Sequence, residues 1–288
     1  MDVRILSPLT ASDGENLALY RWVDEESTKE AARQTQVSRG VVLLVHGLGE
    51  HAGRYDAVAS ILRSWGFDVR SYDQRGHGRS GGKPGTLPDA QALLTDLEDV
   101  IDDVRSHCPK GPLILLGHSL GGLVASRLVS LKRRPVDGLV LSSPALDAGL
   151  GVVQRMLLAV LPAVLPDLTV SNGLKVQFLS HDARVIQAYQ SDRLVHNRMS
   201  PRLGKFIATA GPAVIDAAAS WKVPTLLLYA GDDKLVNAEG SRRFAAAAAK
   251  SGCVTAKCFE GFYHEIFNEL QPTPVFIALK AWLDQKYK

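Results

Sequence analysis

What most constrains this chain is a rhythm: short, mostly apolar runs alternate with longer segments of helical spacing. Val41–Val45 reads as a strand buried on both faces, and Asp68–Tyr72 and residues 113–116, 138–141, 225–229 and 256–259 read as further strands. Between them, residues 54–64, 88–108 and 120–132 read as helices. In the second of these, Leu93, Leu97, Val100 (or Ile101) and Val104 recur at helical spacing. Repeated strand–helix units pair as a parallel sheet covered by helices on both faces, so the fold class is α/β. The alternating segment 16–23 predicts an antiparallel edge.

Two stretches break the rhythm. Residues 24–39 are polar and charged and read as a solvated surface loop. Residues 145–222 contain helical pieces and no convincing strand. An insertion of that size between two sheet strands predicts a cap, leaving 1–144 and 223–288 as the core. Within the cap, residues 151–168 are apolar almost all round, through Val152, Val153, Met156, Leu157, Leu158, Val160, Leu161, Val164 and Leu165. Such a helix must bury every face or meet lipid. It packs as the core of the cap, or walls an acyl tunnel and touches lipid aggregates, or does both. The uncharged run 156–166 falls short of the ~20 residues that span a bilayer. Pro162 and Pro166 are expected to break it, so it reads as helix against an apolar surface.

The chain has 33 basic and 30 acidic residues among 288, a formal charge of +3. That balance is too mild for a nucleic-acid partner. Cys108, Cys253 and Cys258 form no metal-type pair and read as reduced thiols. Residues 1–14 lack an apolar signal-peptide region, so a cytoplasmic location is expected.

After the run 113–116 comes Gly117-His118-Ser119-Leu120-Gly121-Gly122, then a helix. This is G-x-S-x-G in strand–turn–helix context, which makes Ser119 the candidate nucleophile. The turn must be sharp, and side chains at 117 and 121 would collide with the neighbouring strand and helix. It would lift the hydroxyl above the carboxyl edge of the sheet and set the Leu120 N–H at a helix N-terminus, where an oxyanion is favoured.

A serine nucleophile needs a general base, and the base an orienting acid. In chain order the acid precedes the histidine. His264 follows the run 256–259 and is the candidate base, whereas His181 and His196 lie in the expected cap. Asp232 and Asp233 both follow the run 225–229, and spacing does not separate them. The loop after Val41–Val45 should supply a second oxyanion donor, for which Leu48, between Gly47 and Gly49, is suited. His46 is expected to brace that loop. The same loop fits G-x-G-x-x-A with Asp73 downstream, the pattern of an NAD-type oxidoreductase. That reading fails on position, because ~40 residues precede the motif where it normally opens its domain, and it leaves Ser119, Asp233 and His264 unexplained. His264-Glu265 is followed by Asn268 where a zinc helix needs histidine. No cofactor and no metal are expected.

Several strings resemble the monoacylglycerol lipases and related bacterial lysophospholipases of the α/β-hydrolase superfamily. They are His46-Gly47-Leu48-Gly49-Glu50-His51-Ala52-Gly53-Arg54-Tyr55, Tyr72 to Ser80, Gly117 to Gly122, Ser191-Asp192 and Gly261 to His264. The resemblance implies an α/β-hydrolase fold and cleavage of a lipid ester through an acyl-enzyme. Monoacylglycerol is the first substrate it suggests, with lysophospholipid or broad carboxylester cleavage as the alternative. It implies Asp233 as the acid, because Asp233-Lys234-Leu235-Val236 fits the family pattern. It implies Glu50, Arg54 and Tyr189 at the glycerol end, and structural roles for Asp73, Arg75 and His77. Met156 and Leu157 are expected on the acyl wall. Two positions depart from the animal enzymes: Phe267 stands where they carry a glycerol-facing histidine, and Val236 where they carry a cysteine.

Overall fold

The structure, a computed structural model, describes residues 2–23, 38–149 and 151–288. Residues 24–37 of the expected polar loop lie outside it. The central sheet has strands β1 (Asp2–Ile5), β2 (Leu19–Val23), β3 (Val41–Val45), β4 (Asp68–Tyr72), β5 (Leu113–His118), β6 (Gly138–Ser142), β7 (Thr225–Ala230) and β8 (Val254–Phe259). Their spatial order is β1-β2-β4-β3-β5-β6-β7-β8. The first two pairings are antiparallel and the rest parallel.

Strand alternation divides the core in two. Leu43, Val45, Leu113 and Leu115 point to one face, where α2 (Ala92–His107), α3 (Leu120–Ser130), α6 (Pro201–Ala217) and α7 (Ala238–Ala248) cover them. Val42, Leu44, Ile114 and Leu116 point to the other, under α1 (Asp56–Ser64) and α8 (Thr273–Lys286). Every residue of β3, β5, β6 and β7 is buried. That explains why those runs carry no polar alternation.

The structure corrects four expectations. The segment 16–23 is not the edge: β2 is paired on both sides, and β1 lies outside it. Asn16–Leu17 instead pairs with Leu9–Thr10. Helix α2 starts at Ala92 rather than 88. Asp89 accepts from the Gln91 N–H at 2.6 Å and the Arg202 guanidinium donates to the Pro88 carbonyl at 2.6 Å, which fixes a turn there. The expected cap holds one small two-stranded pairing, Val170–Ser171 with Arg198–Met199. Finally, Pro162 sits inside α4 (Val152–Val164) without ending it.

Residues 145–222 also carry α5 (Ala183–Ser191). Helix α6 buries Leu203, Phe206, Ala210 and Val214 in the main core. Gly211 lets it approach the loop after β6: a Cβ there would lie 2.2 Å from the Leu146 carbonyl oxygen. Of the two alternatives expected for α4, burial of every face is not the one the structure shows. Met156, Val160 and Val164 are each more than three-fifths exposed. Among the described residues no helix is long and apolar enough to cross a membrane.

Candidate active site

Ser119 sits between β5 and α3 with φ 51° and ψ −117°, a backbone region that non-glycine residues rarely adopt. The strain is held from both sides. The Ser119 N–H donates to the Ser142 carbonyl, and the Ser119 carbonyl accepts from Ala145 and Leu123, all at 3.0 Å. A Cβ at Gly121 would lie 2.1 Å from the Val45 carbonyl oxygen, and one at Gly117 2.5 Å from that of Gly121. The turn therefore closes only with glycine at both places.

His264 and Asp233 come from the loops after β8 and β7. The His264 Nδ1–H donates to Asp233 Oδ2 at 2.7 Å, with side chains 5% and 1% exposed. The other carboxylate oxygen accepts from the N–H groups of Leu235 and Val236 at 2.9 and 3.0 Å. Burial alone would raise the Asp233 pKa, but the His264 charge and these bonds hold it below the usual value. Burial alone would lower that of His264, and Asp233 raises it instead. Asp232 points elsewhere, pairing with Lys234, both side chains 46% exposed. The structure thus separates two carboxylates that spacing does not.

Ser119 and His264 line one cavity together with Leu48, Leu120, Glu50, Arg54 and Tyr189. Leu48 follows Gly47 and Leu120 follows Ser119, so their N–H groups belong to the two loops that meet at the nucleophile. Gly47 makes that meeting close: a Cβ there would lie 3.3 Å from the Ser119 Cβ. His46 braces the loop. It donates through Nδ1 to the Gly47 carbonyl at 2.8 Å and accepts at Nε2 from the Gln74 N–H at 2.9 Å.

At one end of the cavity, Arg54 donates to Glu50 Oε2 at 2.6 Å and forms a two-point pair with Glu265 at 2.7 and 2.9 Å. Its guanidinium lies 4.8 Å from the centre of the Tyr189 ring. Glu50 Oε1 accepts from the Gly47 N–H at 2.6 Å and the Tyr55 hydroxyl at 2.7 Å. Burial would push Glu50 up, yet Arg54, the neighbouring His118 and His46 and the Tyr55 hydroxyl hold it below its usual value. His51 donates to Asp192 at 2.8 Å, fastening this loop to the end of α5. Much of the remaining lining is apolar, with Leu158, Leu174, Leu179, Ile207, Leu235 and Val236.

Two expected wall residues are misplaced. Met156 and Leu157 are 65% and 51% exposed and do not line the cavity; Leu158 does. Sequence reasoning also missed Glu265, whose only sequence signal is adjacency to His264, and His118, whose ring lies 4.7 Å from that of His264. Burial, and then the His264 charge, push His118 down to about 4, so no second cation forms beside the base. Phe267 borders a smaller neighbouring cavity behind Glu50 and Arg54. The dinucleotide reading is excluded at Asp73. Its carboxylate is fully buried and accepts from the Tyr20 hydroxyl and from the Ala52 and Arg79 N–H groups, out of reach of a ribose.

A family model described as serine aminopeptidase, S33, matches residues 36–271. The chain belongs to that family. It is 34% identical over 248 residues to a monoacylglycerol lipase of Mycolicibacterium smegmatis, covering 85% of this chain and 88% of that one. It is 34% identical over 249 residues to a Bacillus subtilis phospholipase, covering 85% and 95%. The solved structure of Paleococcus ferrophilus monoacylglycerol lipase superposes with a TM-score of 0.79 at 35% identity, covering 86% and 95%. The chain also spans 29% of the length of a Dictyostelium discoideum protein with an abhydrolase domain, at 30% identity. The expected α/β-hydrolase fold is borne out.

Proposed function

We propose that this serine hydrolase cleaves monoacylglycerols to glycerol and fatty acid. The observation that carries the reading is the mixed lining of one cavity: the buried cluster of Glu50, Arg54 and Glu265 together with aliphatic side chains, with Ser119 and His264 on the same lining and Asp233 bonded behind His264. An ester with a small polyol head and an acyl tail matches that division.

In this reading Ser119 gives its proton to His264 as the hydroxyl attacks the acyl carbonyl. Asp233 holds the imidazole with its proton on Nδ1 and stabilises the imidazolium as it forms. The N–H groups of Leu48 and Leu120 receive the oxyanion. His264 then protonates the departing glycerol oxygen, and water repeats the sequence on the acyl-enzyme. Glu50, Arg54 and Tyr189 receive the glycerol hydroxyls. Residues 145–222 act as the cap, with Leu158 and Ile207 against the acyl chain. The exposed apolar face of α4 makes transient contact with lipid surfaces, which brings the site to membrane-held substrate. Three unpaired cysteines support a cytoplasmic setting.

The test is a hydrolysis panel of monoacylglycerols, lysophospholipids and p-nitrophenyl esters of graded length. Highest kcat/KM on a monoacylglycerol is the expected result. Preference for a lysophospholipid of the same chain would overturn the substrate assignment while leaving ester chemistry intact.

A further inference from the structure

The polar end of the cavity holds one guanidinium between two carboxylates. Arg54, Glu50 and Glu265 have side chains 11%, 5% and 5% exposed, so their charges are weakly screened. Among the described residues that line the cavity, Arg54 is the one lysine or arginine. Three of its five N–H donors already go to carboxylate oxygens. Glu265 is itself fixed: its backbone N–H donates to the Leu179 carbonyl at 2.8 Å, and its Oε2 accepts from the Asn268 amide at 2.8 Å. The cluster therefore carries a net negative charge.

We infer that Glu265 is a specificity-determining residue that makes this site accept neutral polyol head groups and reject phosphate-bearing ones. The inference rests on the monoacylglycerol reading and deepens it. A free buried guanidinium is a good phosphate receptor, because its planar fork matches the oxygens. Clasped on both sides, it has little charge left to offer, and an incoming phosphate meets two carboxylates. Like charges brought together in a desolvated pocket discriminate strongly against the wrong partner. A hydroxyl meets no such repulsion and can donate to the same carboxylates. With Glu50 alone the guanidinium and carboxylate would cancel; Glu265 tips the balance to negative.

The experiment uses two non-cleavable ether lipids with one alkyl chain, a 1-O-alkylglycerol and its 3-phosphate, below their aggregation limits. Each is measured as a competitive inhibitor of p-nitrophenyl butyrate hydrolysis. The wild-type enzyme should bind the phosphate at least about tenfold more weakly than the neutral ether. Glu265→Gln should narrow that ratio by about tenfold or invert it. Equal or tighter binding of the phosphate by wild type overturns the inference without any variant, as does an unchanged ratio in a folded Glu265→Gln. Wild type that cleaves p-nitrophenyl butyrate but no monoacylglycerol overturns the substrate reading instead, so the two failures are distinguishable.

Discussion

The two walls of the cavity are built on opposite plans. On the sheet side every functional group is held more than once. Ser119 is pinned by three backbone bonds, Asp233 by two N–H groups and a histidine, and Glu50 by Arg54, Tyr55 and Gly47. On the cap side, α4 contributes Leu158 to the cavity and leaves Met156, Val160 and Val164 in solvent. Multiply bonded groups keep their geometry through a reaction, which acid–base chemistry requires. A helix with Met156, Val160 and Val164 in solvent is under no such constraint on that face. The comparison sets multiply bonded polar groups at the sheet edge against a partly exposed apolar helix.

The largest expected effect is on the sheet side. Asp233→Asn should lower kcat by about 10⁴, because the amide cannot hold the imidazole tautomer or stabilise its charged form. Asp232→Asn, in an exposed pair with Lys234, should change kcat less than about threefold. Comparable losses in steady-state assays would erase the distinction between the two carboxylates. Next comes pH. The base must be neutral to act, and Asp233 raises the His264 pKa above its usual value. Activity should therefore fall as pH drops through that raised pKa, about tenfold per unit below it. In Asp233→Asn the residual activity should keep its acidic limb at lower pH. A limb that does not move in the kcat/KM profile would mean that another group controls it. The smallest effects belong to the cap. Leu158→Ala should cost about tenfold in kcat/KM on long-chain esters and little on butyrate, since only a long chain covers that side chain. Met156→Ser should leave dissolved esters within about twofold. Equal losses for the two variants across chain lengths would show that the cap wall does not read the acyl tail.

What could be read in the sequence follows the same division. Strands β3, β5, β6 and β7 were legible because burial on both faces leaves an apolar run, whereas β8 at the sheet edge is largely exposed. The elbow was legible because Gly117 and Gly121 are demanded by contacts inside one turn. The chain order of Ser119, Asp233 and His264 follows from the strands that carry them. Helix α4 was legible as a helix but not in its phase: an all-apolar pattern has no polar face to set the rotation, so Met156 and Leu157 could not be told from Leu158. The pairing of Arg54 with Glu265 was invisible for another reason. It joins residues 211 positions apart through loops on different strands, and no local period records such a contact. The short strand β1 gave no warning either, since four residues are too few to show an alternation.

The central claim is that Ser119 forms the acyl-enzyme, and turnover of a monoacylglycerol by Ser119→Ala tests it most directly. Loss of about 10⁴–10⁶ in kcat, with an unchanged unfolding transition, is the predicted result. A folded variant that retains activity within tenfold of the parent would contradict the account.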